Sequence, residues 1–188
     1  MDNDNGGSNF YEEDFEVDLW DCEFLGEGNN GIVYLMPDGN VIKICKEPKE
    51  CQKEYAILEK VKGSKHFPRV FLCGGNYMVR EYVKGQGLKS YIRKNGMTRE
   101  LAVSLGELIE EFIRLGFTKL DCRCRDIYIQ EDGNLMVIDP RSSYRRVKGY
   151  PRHMMKGLKK LGVLDEFVEI IKQEKPHLYR RWEEARKK

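Results

Sequence analysis

Between Phe24 and Tyr34 the chain reads FLGEGNNGIVY, with Gly26, Gly28 and Gly31 closed on both sides by apolar, strand-like residues. Glycine permits backbone geometries closed to other residues. It also lets main-chain N–H groups approach phosphate oxygens with no side chain in the way. Tight hairpins and phosphate-binding turns both use such a segment. A dinucleotide-binding fold requires a helix directly after the third glycine. Here Ile32-Val33-Tyr34 is β-branched and aromatic, so a strand follows and the Rossmann arrangement is set aside.

The turn signal Pro37-Asp38-Gly39-Asn40 then leads into Val41-Ile42-Lys43-Ile44, an apolar strand carrying one lysine. A lysine in such a strand usually faces solvent. The sharper alternative turns its ammonium inward beneath the glycine turn, where it needs a buried carboxylate partner. Residues Glu50 to Lys62 are helical in pattern and offer Glu54 for that role. After Gly63, the stretches His66 to Leu72 and Tyr77 to Val83 read as two further strands, and Gly85-Gln86-Gly87 as a linker.

A second cluster of polar groups spans Lys119 to Arg141, where Asp121, Asp126 and Asp139 surround a predicted hairpin. Its arms are Ile127 to Ile129 and Leu135 to Ile138, with the turn at Asp132-Gly133-Asn134. Phosphoryl transfer needs oxygen ligands for Mg²⁺ and a separate carboxylate to orient the attacking hydroxyl, and a hairpin can present both. A polar turn with acidic ends remains the plain alternative. Upstream, Leu101, Leu105, Leu108, Ile109, Phe112 and Leu115 mark an amphipathic helix begun by Thr98 as N-cap and stopped by Gly116. Downstream, the spacing from Met154 to Lys172 predicts one helix ended by Pro176, and a short basic helix follows over Leu178 to Lys187.

The order of these features resembles the eukaryotic-like protein kinase superfamily over residues 20 to 145. Gly26, Gly28, Gly31 and Val33 match its glycine-rich loop, Val41-Ile42-Lys43 its strand lysine, and Glu54 its helix glutamate. Asp121 followed by Asp126 resembles the catalytic loop, and Asp139 falls at the metal-binding aspartate. The resemblance implies an α+β, two-lobed fold: a small antiparallel sheet with one helix, then a truncated, mainly helical larger lobe. Residues 1–19 would be an acidic leader disordered over 1–9, residues 20–84 the smaller lobe and residues 85–188 the larger. It further implies ATP and Mg²⁺ as cofactors, with Lys43 on the phosphates and the backbone of Glu81 and Val83 on adenine. Asp121 would orient the acceptor hydroxyl, Arg123 would stand near the transferred phosphate, and Asp126 and Asp139 would hold the metal.

Four departures mark an atypical, minimal member, similar to small bacterial kinase-like and RIO-type proteins. Lys119-Leu120-Asp121 replaces H-R-D, Asp126 replaces the loop asparagine, and Asp139-Pro140-Arg141 replaces D-F-G. Only 49 residues follow Asp139. Arg80 also stands where the resemblance expects an apolar wall behind adenine. The implied activity is an ATP-dependent serine/threonine protein kinase. The alternatives are an inactive kinase-like scaffold and a small-molecule kinase of the aminoglycoside phosphotransferase type.

Charge separates the two ends of the chain. Residues 1–30 hold ten Asp or Glu and no Lys or Arg, whereas residues 141–188 hold fifteen Lys or Arg against six acids. The basic end reads as a solvated face, with nucleic acid, an acidic protein or the acidic N-terminus of the same chain as alternatives. The resemblance implies a protein substrate, an acidic one or the chain itself by autophosphorylation, with nucleic acid not expected as a partner. Six cysteines show no C-x-x-C pairing and fit reduced thiols in a cytoplasmic protein. Cys122 and Cys124 read as space-filling thiols, with redox sensitivity the alternative. The N-terminus has no signal-peptide pattern, and no run approaches the length of a bilayer span.

Overall fold

The computed structural model of the chain describes residues 18–117, 122–140 and 149–187. The leader expected over residues 1–9, the Lys119-Leu120-Asp121 stretch and residues 141–148, including Arg141, lie outside them. Residues Leu19–Asp21 form a single 3₁₀ turn, with the Asp18 carboxylate accepting from Trp20 N.

Five strands make an antiparallel sheet: β1 (Glu23–Gly28), β2 (Gly31–Leu35), β3 (Asn40–Cys45), β4 (Val70–Gly74) and β5 (Tyr77–Glu81). Their order across the sheet is β1-β2-β3-β5-β4. Gly28 lies opposite Gly31, so Asn29-Asn30 alone closes the first hairpin. In the second, Asp38 accepts from Asn40 N at 2.9 Å while Gly39 takes a φ of 83° that a side chain would resist. Helix α1 (Pro48–Lys60) begins at Pro48, whose missing N–H costs nothing in a first turn, and carries the chain from β3 toward the far edge.

Side chains directly opposite one another in an antiparallel sheet share a face. Lys43 lies opposite Val33 and Met78, and Val41 opposite Arg80. Those residues therefore face the same side as Cys45, toward α1 and the body of the protein. On the other side Met36, Ile42 and Val79 form a small separate cluster covered by Tyr34, Leu72 and Tyr77.

The second half is mainly helical. A three-stranded sheet, in the order β6 (Gln86–Gly87), β7 (Ile127–Ile129), β8 (Leu135–Val137), sits against α2 (Leu88–Asn95) and α3 (Arg99–Arg114). Thr98 caps α3 through its hydroxyl, accepting from Leu101 N at 3.2 Å, and Gly116 stops it with a φ of 74°. Helices α4 (Arg152–Lys160), α5 (Leu164–Glu174) and α6 (Pro176–Arg186) complete the described chain. Among the described residues no helix is long and apolar enough to cross a membrane.

One continuous apolar core joins the five-stranded sheet to the helices. Phe67, just after α1, packs on Phe112 and Phe117 at centroid distances of 5.4 and 5.9 Å. The same loop is tied to the hairpin: Val137 N donates to His66 O at 2.9 Å, and Asn134 Nδ2 donates to Lys65 O at 2.8 Å. His66 Nδ1 lies 2.7 Å from Leu135 O, so that ring nitrogen carries the proton and donates it.

Four local expectations change. The strand expected from His66 starts only at Val70, because His66 and Phe67 are spent on the contacts just described. The linker at 85–87 contributes the short strand β6. The single helix expected from Met154 to Lys172 breaks into α4 and α5 at Gly162, whose φ is 77°. Pro176 opens α6 instead of only closing the helix before it.

Candidate active site

The glycine hairpin, the inner face of the sheet and the β7–β8 hairpin enclose a cavity of about 610 Å³. Gly26, Gly28, Gly31, Val33, Lys43, Val83, Asp126 and Asp139 all line it. Sequence position alone separates these residues by more than a hundred places, and the fold brings them together.

The three glycines serve different ends. A Cβ on Gly31 would sit 2.0 Å from Ile44 O, so this glycine exists to let β2 lie against β3. A Cβ on Gly26 or Gly28 would touch nothing within 4 Å. That leaves open space on the cavity side of β1, where Gly26 stands at a break in register.

Lys43 projects from β3 under this hairpin and pairs with Glu54 of α1. Both are buried, at 7% and 6% exposure, which decides against the solvent-facing alternative for the lysine. Glu54 Oε2 takes the ammonium, and Oε1 has no hydrogen-bond partner. Burial pushes the Glu54 carboxyl above the ordinary carboxylate range, against the opposing pull of Lys43.

Across the cavity Asp126 and Asp139 are held by the hairpin. Asp126 O accepts from Ile138 N at 2.9 Å, which fixes the strand end bearing Asp139 beside it. Asp126 N in turn donates to Arg123 O at 2.9 Å. The Asp126 carboxylate is buried and lies 3.4 Å from Arg125 Nε. Among the described residues no group of three or more His, Cys, Asp or Glu forms a metal cage. Two carboxylates suit magnesium nonetheless, because that ion usually takes one or two protein oxygens and completes its shell with phosphate and water.

Glu81 departs from the set. It does not line the cavity: its side chain accepts from Arg69 N at 3.1 Å, and its backbone carbonyl accepts from Arg80 Nη1 at 3.0 Å. Arg123 is half-buried and does not line the cavity. Asp121 lies outside the described residues. Arg125, Tyr82 and Tyr128 line the cavity without having been singled out in the sequence. Tyr128 could have been found by alternation, since it stands two residues after Asp126. Arg125 is an exposed neighbour whose direction no pattern specifies.

The six cysteines are free thiols. Cys124 fills space as expected: it is buried, its thiol donates to Met154 O at 3.5 Å, and Gly157 leaves room for its sulfur.

No family model matches the chain. Over 121 residues it is 24% identical to a Bacillus subtilis (strain 168) protein named "Putative serine/threonine-protein kinase YrzF". The aligned part is 61% of this chain and 56% of that protein, so the chain spans little more than half the length of the relative it matches. The similarity is to a kinase-named protein, and it agrees in kind with the mixed α+β architecture.

Proposed function

We propose that this chain is an atypical serine/threonine protein kinase, transferring the γ-phosphate of a purine nucleoside triphosphate to a protein hydroxyl. The observation that carries this reading is the buried Lys43–Glu54 pair beneath an open glycine hairpin, facing Asp126 and Asp139 across one cavity. Neither buried charge has a packing purpose, and a lysine held by a carboxylate is a fixed cation at the place where phosphates would lie. The two lobes of the reading are residues 20–84 and 85–188, meeting at this cavity.

Each residue then has a defined task. Backbone N–H groups of the Gly26–Gly31 hairpin cover the phosphates, and Lys43, oriented by Glu54, supplies positive charge to them. Asp126 and Asp139 are the oxygen donors for magnesium, which when bound neutralises the triphosphate. Val33, Val41 and Val83 provide apolar walls for a base. Asp121 would position the acceptor hydroxyl, and Arg123 would stand by it, supporting a protein acceptor over a small alcohol. The exposed basic face of α4, with Arg152, Lys156, Lys159 and Lys160, fits an acidic protein substrate. Free thiols suit a reducing cytoplasm.

A binding module without catalysis is favoured by one observation, the Arg125 guanidinium beside Asp126, which competes with a metal for that carboxylate. Incubating the full chain with γ-labelled ATP or GTP, Mg²⁺ and an acidic model protein separates the two readings. The kinase reading expects label on the chain or the acceptor, lost in Asp139→Asn. A raised melting temperature with Mg-ATP but no transfer would select the binding module.

A further inference from the structure

Arg80 is the one buried cation of the cavity that the phosphotransfer reading leaves without a task. It sits on β5 opposite Val41, at 6% exposure, and lines the cavity with Lys43. Its single hydrogen bond among the described residues runs from Nη1 to Glu81 O at 3.0 Å, and its Nε has no partner. A guanidinium carries five N–H donors and no acceptor, so most of its capacity is unspent in a place where unmet donors are costly. Burial lowers its pKa, and Glu54 and Asp139 oppose that through space.

Its position selects which part of a nucleotide it would meet. The phosphate end of the cavity is fixed by the glycine hairpin, Lys43, Asp126 and Asp139. Along the paired strands β3 and β5, Arg80 lies one pleat beyond the Lys43 level, roughly 7 Å toward Val83. Val41, directly opposite Arg80, and Val83 line the cavity there with apolar surface, which suits a flat ring. Adenine would bring an amino group, a donor, to the edge where a 6-oxopurine brings an acceptor. Facing a guanidinium, the amino group meets donors. The backbone acceptor that the resemblance implies for it, Glu81 O, accepts from Arg80, and Glu81 does not line the cavity. An oxo group would instead receive the unspent N–H groups.

We propose that Arg80 makes the cavity selective for a 6-oxopurine nucleoside triphosphate, GTP or ITP, over ATP. This rests on the phosphotransfer reading and names its donor. ITP and ATP differ only along the pyrimidine edge of the base, so their comparison isolates the contact.

The test is calorimetric titration of the full chain with Mg-GTP, Mg-ITP, Mg-ATP and Mg-CTP, repeated with Arg80→Met. The expected result is binding of GTP and ITP about ten-fold or more tighter than ATP, the scale of one satisfied against one unsatisfied buried donor. In Arg80→Met that ratio falls to about one or reverses. ATP binding as tightly as ITP or tighter in the wild type overturns the proposal while leaving phosphotransfer intact. Binding of no nucleotide at all overturns both. If Arg80→Met does not fold, the wild-type ratio of ITP to ATP still decides.

Discussion

The cavity wall and the helical layer beneath it bury different kinds of residue. Five polar or charged side chains are buried among the described residues, and four of them, Lys43, Glu54, Arg80 and Asp126, are at the cavity or directly behind it. The fifth, His66, is bonded to Leu135 O. Helices α3, α5 and α6 instead bury Leu105, Leu108, Phe167, Ile171, Leu178 and Trp182, with Phe167 and Trp182 stacked at 6.0 Å. Burying a charge costs free energy that an apolar contact would not. The cavity wall accepts that cost where a ligand would need fixed charges, and the common apolar core offsets it.

If this division holds, replacing the ion pair by apolar residues should separate activity from stability more than any other change. Lys43→Met/Glu54→Leu is expected to lower phosphotransfer by about 10²-fold to 10³-fold, the scale for losing one preorganised charge. Its folding stability by chemical denaturation should be unchanged or higher. Glu54→Leu alone should cost about 3–5 kcal/mol, since it strands Lys43 in a buried site. A double variant less stable than the single one would erase the contrast between the layers.

In the helical layer the reverse is expected. Leu105→Ala, at a fully buried position of α3, should cost about 2–5 kcal/mol of stability. Nucleotide affinity, measured where both proteins are folded, should stay within about two-fold, given that no α3 residue lines the cavity.

Titration sharpens the comparison further, because Glu54 behind the cavity and Glu111 on α3 respond to acid with opposite sign. Glu54 has a raised carboxyl pKa in the fold, so the folded state binds its proton more tightly than the unfolded chain. The wild type should therefore gain stability relative to Glu54→Gln as pH falls from its raised folded value toward the ordinary carboxylate range. On α3, Arg114 donates to both oxygens of Glu111 at 2.6 Å and holds that carboxyl down at about 2. Here the folded state favours the charged form. Its contribution is present above the ordinary range and fades as pH falls toward about 2. The gap between wild type and Glu111→Gln should close over that interval, and the effect should be the smallest of the set because Arg114 is largely exposed. Thermal melts from pH 7 down to pH 2 check both signs.

Much of this arrangement was legible in the amino-acid order because it depends on local signals. Thr98 and Gly116 bounded α3, and Asp132-Gly133-Asn134 joined β7 to β8. The spacing of Lys43 and Glu54 placed one on a strand and the other on the helix after it. The break at Gly162 was hidden, since apolar spacing continues on either side of it and only the φ of 77° reveals the turn. Gly31 was equally opaque: its motif suggested a phosphate turn, whereas its Cβ-free contact with Ile44 O is a demand of strand packing.

Composition, periodicity and turn chemistry thus determined an α+β chain with a glycine hairpin, a lysine-bearing strand and an acidic hairpin, because each follows from residues within a few places of one another. Tertiary structure alone decided that Lys43 points inward, that Glu81 does not line the cavity, and that Arg80 stands over the same cavity as Asp139. Those outcomes depend on which face of a strand meets which neighbour. That choice is made by the burial of distant side chains in a common core and is not encoded at any one position.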